Sequence, residues 1–369
     1  MNRGGVPHVV IDARFLEAAG IGTYIENLVP RAIEALPEYQ FTLLGDKTRL
    51  LDSMSDGRAN VAAVECQASM YSTREQLLIP LKLPPDADLV WFPHASVPWL
   101  TRGRLLVTLH DAFHLAHPEL LGSRLKSYYS RLLYRAVGRK SSHVLTVSSF
   151  SKMQLSSLAG IPPERITVTP LGVDESWFAV ERPNPHPGPY IVFVGSVKPH
   201  KNLRTLVRAY RQLRERLQYS LVVVGRRDGL ITSDPTLAAD LMGLEKDVTF
   251  TGFVDKQTLQ AYVAHADLLV HPSLYEGFGL TPLEAMAAGC PTVVAQAASL
   301  PEVCGDATVY FEPLDAADLA NRMIEVLTDA RLRNVLVARG RRRVQQFDWA
   351  RTAAETARVL TTMVEGDPT

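Results

Sequence analysis

Cysteine is scarce in this sequence. Cys66, Cys290 and Cys304 are the only three in 369 residues, too few and too scattered for a disulfide framework or a cysteine metal cluster, so they read as small core hydrophobes in a reducing compartment. No run of eighteen apolar residues occurs, and the amino terminus enters a strand without the apolar stretch of a signal peptide; no membrane-spanning helix is expected, and a cytoplasmic location is. Net charge is also missing. Thirty-nine Lys and Arg balance thirty-nine Asp and Glu, which argues against a nucleic-acid binder. Low-complexity tracts and short-period repeats are absent too. What is present is an ordinary globular composition, 46% apolar and 21% charged, in a chain longer than one core normally serves. Two domains follow as the expectation.

Short apolar runs rich in β-branched residues alternate with longer helical patterns. They fall at His8–Ile11, Phe41–Leu44, Leu89–Phe92, Leu105–Leu109, Val144–Val147 and Ile166–Val168. Such alternation predicts parallel sheet. Four prolines within Glu181–Pro189 then interrupt the rhythm and read as a linker. The alternation resumes at Ile191–Val194, Leu221–Val224, Val248–Phe250, Leu268–Val270, Thr292–Val294 and Thr308–Phe311. The expected fold is α/β: two Rossmann-like doubly wound domains facing each other across a cleft, with ligands beyond the carboxyl ends of the strands. The expected boundaries are 1–180, a linker at 181–189, 190–348, and a closing helical segment at 349–369.

The stretch from Glu276 to Pro291 holds the strongest chemical signal. A buried strand, Asp267 to Ser273, runs into a loop containing Gly277 and Gly279 and then into a helix-forming run. Glycines let the backbone approach a ligand closely, and the helix start offers free N–H groups at its positive end, so the unit reads as an anion cradle. Glu276 and Glu284 flank it, with seven residues between them. Carboxylates make poor phosphate binders but accept pairs of hydrogen bonds from neighbouring hydroxyls, as a ligand built of sugar, diphosphate and ribose would offer. Lys201, six residues after Gly195 at a helix entrance, can set a point charge against a phosphate. Gly20 and Gly22 precede another helix and form a second glycine-flexed cradle. His110 and Asp111 end a strand. His94, Ser148 and Ser149 end neighbouring strands and either touch a ligand or cap loops.

The acid, seven residues and acid resemble the signature of family 4 of the retaining GT-B glycosyltransferases, and the resemblance extends from Ile11-Asp-Ala-Arg14 through Ser299-Leu-Pro-Glu-Val303 to the helix at Trp349. It implies that Glu284 holds the ribose, the backbone of Phe278, Gly279, Leu280 and Thr281 the diphosphate, and Glu276 the hydroxyls of the transferred sugar. It places Gly195, Ser196 and Lys201 at the phosphates, with Ser196 departing from the arginine many members carry there and Lys198 or His200 as substitutes. The turns Val224-Gly225-Arg226 and Thr251-Gly252-Phe253-Val254 match two more family turns, the second putting Phe253 at the base. His110 resembles the active-site histidine that contacts the donor sugar. Catalysis is thus assigned to His110, Glu276 and Lys201, in a retaining hexosyl transfer from a nucleotide diphosphate sugar to a glycan or lipid-linked acceptor.

Some members with similar variants are mannosyltransferases, so the lean is to GDP-mannose, with a UDP-hexose second. No cofactor and no metal are expected: the Asp-x-Asp at Asp86 and Asp88 precedes a strand rather than ending one, and backbone amides, Lys201 and the helix dipole can stabilise the departing diphosphate. The competing readings are a nucleotide-sugar epimerase and a non-catalytic sugar-nucleotide binder. A dinucleotide-dependent oxidoreductase is disfavoured because Gly20-Ile-Gly22 lacks the third glycine of that fingerprint.

Between Leu120 and Pro163 there are seven Lys or Arg and no Asp or Glu. Arg124, Arg131, Arg135 and Arg139 recur at helical spacing with Tyr128, Leu132 and Leu133 between them. This predicts a basic helix over 124–140, either touching an anionic membrane surface peripherally or simply packing its leucines onto the first sheet.

Overall fold

A computed structural model describes residues 5–18, 20–55, 57–225 and 235–366. Arg226, quoted above in a glycine turn, lies outside them. The chain forms two compact units, one running to Gly172 and resuming at Asp348, the other spanning Val173–Phe347. The prolines of 181–189 therefore fall within the second unit. The chain passes between units at Gly172–Val173 and at Phe347–Asp348. A Cβ on Gly172 would sit 2.2 Å from the Trp349 nitrogen, so only glycine permits this approach.

The first unit holds seven strands: β1 (His8–Asp12), β2 (Gln40–Gly45), β3 (Val61–Glu65), β4 (Leu89–Phe92), β5 (Leu105–Thr108), β6 (His143–Thr146) and β7 (Ile166–Val168). They form one parallel sheet in the order β3-β2-β1-β4-β5-β6-β7. The second unit holds β8 (Tyr190–Val194), β9 (Ser220–Val224), β10 (Val248–Gly252), β11 (Leu268–His271), β12 (Thr292–Ala295) and β13 (Val309–Phe311). Their order is β10-β9-β8-β11-β12-β13, again parallel. Helices cover both faces, which is why central strands such as Val9–Ile11 and Val222–Val223 are wholly buried and legible as continuous apolar runs. The sequence reading has no strand at β3. That strand lies at the sheet edge with alternate residues exposed, and its short, alanine-containing Val-Ala-Ala-Val-Glu has a weak strand signal.

The helix Trp349–Glu365 belongs to the first unit. Trp349, Ala353, Ala357 and Leu360 join the core formed by β1, β2 and the helix Ile21–Glu34. Tyr39 Oη donates to Glu365 Oε1 at 2.6 Å at its far end.

Strand order reverses between β1 and β4 in one sheet and between β8 and β11 in the other. In doubly wound sheets a ligand crevice opens at the carboxyl side of such a reversal. The loops leaving these four strands carry Asp12 to Gly22, Pro93 to Ser96, Gly195 to Lys201 and Pro272 to Gly279.

Candidate active site

At the second reversal Lys201 Nζ donates to Glu276 Oε1 at 2.6 Å, and His271 Nε2 lies 3.0 Å from the same oxygen. Burial alone would raise the Glu276 pKa, but the Lys201 ammonium and the His271 imidazole outweigh it and hold the group well below the usual carboxylate range. Both donors converge on Oε1, so Oε2 is the oxygen turned to other partners. The supporting loops are tied together: Leu274 N donates to the His200 carbonyl at 2.8 Å, and Asn202 Nδ2 to the Pro272 carbonyl at 3.1 Å. Ser299 Oγ donates to the carbonyls of Glu276 (2.9 Å) and Phe278 (2.8 Å), pinning the glycine loop from beneath.

The helix Leu280–Ala287 starts at Gly279, which adopts φ 105° and supplies no side-chain cap. A Cβ there would meet Leu300 Cδ2 at 2.6 Å, so glycine is required by conformation and by space. Pro282 contributes no N–H, which leaves the Leu280 and Thr281 amides as first-turn donors without a side-chain cap. Phe278 is buried and packs edge-on against Phe347, its centroid 5.6 Å away, so its backbone alone is available to a ligand.

Glu284 stands in a separate environment. Burial pushes its carboxyl up to about 7; Asp174 adds to this, while Lys256 and a hydrogen bond with Trp177 oppose it. Asp174 and Lys256 pair at 3.1 Å. The turns after β8, β9 and β10 lie side by side: Gly195 N donates to the Val224 carbonyl and Gly225 N to the Gly252 carbonyl. Ser196 is half-buried within this group, and Phe253 projects as an exposed ring at its edge.

At the first reversal His110 is half-buried, with Nε2 3.0 Å from the Pro93 carbonyl. That contact places its proton on Nε2. Burial pushes its pKa down to about 4, helped by His94 and opposed by the Pro93 contact, so the ring is neutral at physiological pH. Tyr24 packs edge-on against it at 4.7 Å. Asp111 Oδ1 accepts from Phe113 N at 2.9 Å. Gly20 is exposed at φ 76°, whereas Gly22 is buried and any Cβ there would strike the Leu16 carbonyl at 2.1 Å. Its freedom thus serves loop packing.

Several residues grouped by sequence have separate roles. His94 is fully buried, its Nε2 3.1 Å from Asp12 Oδ2. Ser148 caps a helix through Ser151 N. Asp86 and Asp88 reach His8 at the opening of β1, the edge of the sheet away from the reversal loops. Conversely, the sequence reading assigned no role to His271, Asp174, Trp177 or Lys256. A histidine closing an apolar strand five residues before Glu276 was the available signal for the first; the others come from distant segments.

A family model described as Glycosyl transferases group 1 matches residues 177–343, and one described as Glycosyltransferase Family 4 matches 70–177. The O-antigen chain mannosyltransferase B of Escherichia coli is 30% identical over 364 residues, spanning 91% of this chain and 94% of that protein. The O-antigen chain mannosyltransferase RfbU of Salmonella typhimurium is 31% identical over 247 residues, 66% of this chain and 67% of that one. Among solved structures, Anabaena HepE in complex with UDP and glucose superimposes with a TM-score of 0.75 at 20% identity, covering 96% of this chain and all of that one. The glycosyltransferase WaaG gives 0.73 at 17%, covering 96% and 99%. These two likenesses establish the GT-B fold.

Proposed function

The chain belongs to the group 1, family 4 glycosyltransferases, and from that membership we propose that it transfers mannose from GDP-mannose, with retention at the anomeric carbon, to a glycan or lipid-linked acceptor. The mannosyltransferase names of its relatives support the sugar. A UDP-hexose is the second donor to test. The convergence of Lys201 and His271 on one Glu276 oxygen, beside the helix start at Gly279, carries the reading.

In this reading Glu276 Oε2 accepts the transferred sugar's hydroxyls, the Phe278 to Thr281 backbone and Lys201 hold the diphosphate, and Glu284 takes the ribose hydroxyls. Gly195 and Ser196 line the phosphates, Phe253 the base, and Gly20 with Gly22 form a second glycine loop for the donor. His110, neutral and with Nε2–H engaged by Pro93, presents a lone pair to a sugar hydroxyl. The bond between the anomeric carbon and the diphosphate oxygen breaks, the acceptor oxygen bonds on the same face, and its proton passes to the departing phosphate oxygen. Positive charge at Lys201 and the helix start opposes the charge that develops on the leaving group, so a metal is not required. GDP at 100 times its dissociation constant should stabilise the protein by roughly 2.7 kcal/mol, and UDP at the same concentration by less. Mannosyl transfer should survive EDTA and yield an α-mannoside. Complete loss restored by Mn²⁺ would overturn the leaving-group assignment, and a β-product would overturn retention.

The acceptor side bears on location. No described helix is long and apolar enough to cross a membrane. The helix Arg124–Lys140 buries Leu133, Tyr134 and Val137 but exposes Leu125, Tyr128 and Leu132 among Arg124, Lys126, Arg131 and Arg135. An open hollow of about 590 Å³ lies at its start, with Arg124, Tyr128 and Arg131 in its wall. We read this face as the peripheral contact with an anionic membrane, at about 1 kcal/mol per basic residue near the surface. The protein should sediment with anionic but not neutral vesicles at low salt, and an Arg131→Glu, Arg135→Glu double variant should stay in the supernatant. Equal behaviour of the two proteins would refute the membrane contact.

A further inference from the structure

The first unit buries four ionisable side chains that the transfer reaction does not use. Arg14 lies between Asp12 (2.7 Å) and Glu75 (2.6 Å), and His94 faces Asp12 at 3.1 Å. Three of them, Asp12, Glu75 and His94, have no exposed surface. Buried charges of this kind are costly unless fully paired, and their best-attested use is to specify one arrangement. Here that arrangement is a loop. Arg14 Nη1 donates to the Ala68 carbonyl at 2.8 Å, drawing the segment after β3 across the reversal point. Glu75 stands three residues after Ser72, whose hydroxyl caps the helix Thr73–Lys82 through Glu75 N. In a capping box its carboxylate would return to the Ser72 amide. Instead Glu75 Oε2 accepts from Tyr71 N at 2.8 Å and from Ser96 Oγ at 2.7 Å. This register holds Tyr71 at φ 61°, a region a bulky residue adopts only when its surroundings impose it.

The outcome of so much fixing is a tyrosine left partly exposed. Tyr71 is 42% exposed. Ser96, which touches Tyr71 N, lies on the same short loop as Pro93, whose carbonyl holds His110. The Tyr71 backbone is thus linked through one loop to the candidate catalytic histidine. Its phenol is pushed up to about 12, by burial first and then by the fields of Glu75, Tyr129 and Asp111. A pyranose presents a C–H face that packs on aromatic rings.

We propose that Tyr71 forms part of the subsite for the terminal hexopyranose of the acceptor. The proposal rests on the transferase reading above. Saturation-transfer NMR with the methyl glycosides of mannose, glucose, galactose and N-acetylglucosamine tests it without donor. At least one glycoside should receive transfer from the wild type. Tyr71→Phe should bind it within about threefold, and Tyr71→Ala about tenfold more weakly, while nucleotide-induced stabilisation stays unchanged. Tyr71→Gly separates the ring from the backbone: glycine accepts φ 61° and keeps the N–H to Glu75, so a purely structural role predicts wild-type binding, whereas the subsite predicts binding as weak as that of Tyr71→Ala. No transfer to the wild type from any of the four, or wild-type binding by the glycine or alanine variant, overturns the subsite. Failure of every nucleotide diphosphate to stabilise the wild type would instead defeat the transferase reading.

Discussion

Replacing Glu276 by glutamine should lower turnover by roughly 10²–10³-fold while leaving the donor KM nearly unchanged. The carboxylate is oriented by two donors on one oxygen, Lys201 Nζ at 2.6 Å and His271 Nε2 at 3.0 Å. An amide can satisfy them only through its carbonyl oxygen, which turns the NH₂ toward the position where the sugar hydroxyl needs an acceptor. The loss therefore falls on the reacting sugar and on its transition state. Glu284→Gln should behave oppositely, raising donor KM about tenfold with little change in turnover, because ribose contacts are the same in ground and transition states. Its raised pKa of about 7 adds a pH signature. Ribose hydroxyls donate to the ionised form, so donor binding favours deprotonation, and donor KM should fall as pH rises through 7 in the wild type but not in Glu284→Gln. Initial rates against donor concentration at several pH values separate the two acids. Wild-type kinetics in both variants would sink the assignment.

The site was legible in sequence where its pattern is local. Two acids and two glycines within nine residues follow a strand, a pattern that needs no distant partner to be read. The central parallel strands were legible for a related reason: burial on both faces leaves unbroken apolar runs, whereas edge strand β3, half solvated, leaves none. What could not be read depends on long-range closure. Burial first, and then Asp174, raise the Glu284 pKa, and Asp174 with the hydrogen-bond partner Trp177 comes from the segment that opens the second unit. His94 read as a ligand contact or a loop cap because it ends a strand, and Asp12 and Arg14 carried no assigned chemistry. Glu75, 61 residues beyond Arg14, turns them inward, and one acid within Thr-Arg-Glu-Gln reads like any solvated first-turn glutamate.

Arg14→Met should destabilise the first unit by about 3–5 kcal/mol, the usual cost of breaking a buried ion pair from one side. The guanidinium is the shared partner of two carboxylates that have no exposed surface; methionine fills part of its volume, leaves Glu75 without this cation and leaves Asp12 with His94 alone. Asp12 itself shows the dependence: burial would raise its pKa, but His94 and Arg14 hold it far below the usual range. A depressed carboxylate stabilises the fold above its unfolded pKa, near 4, and that contribution fades as pH falls below it. The wild type should therefore lose stability on acidification, and Arg14→Met should lose less, because its carboxylates gain from protonation. Two units need not unfold together, so a single transition midpoint is a poor measure. Amide hydrogen exchange resolves them: protection in β1 and β4 should drop in Arg14→Met while β8 and β11 stay at wild-type levels. The triple variant Asp12→Asn, Arg14→Met, Glu75→Gln removes the orphaned charges while retaining acceptors for Tyr71 N and Ser96 Oγ. It should recover much of the lost protection. If the single variant were as protected as the wild type in β1 and β4, the ion cluster would not be what holds this edge of the sheet.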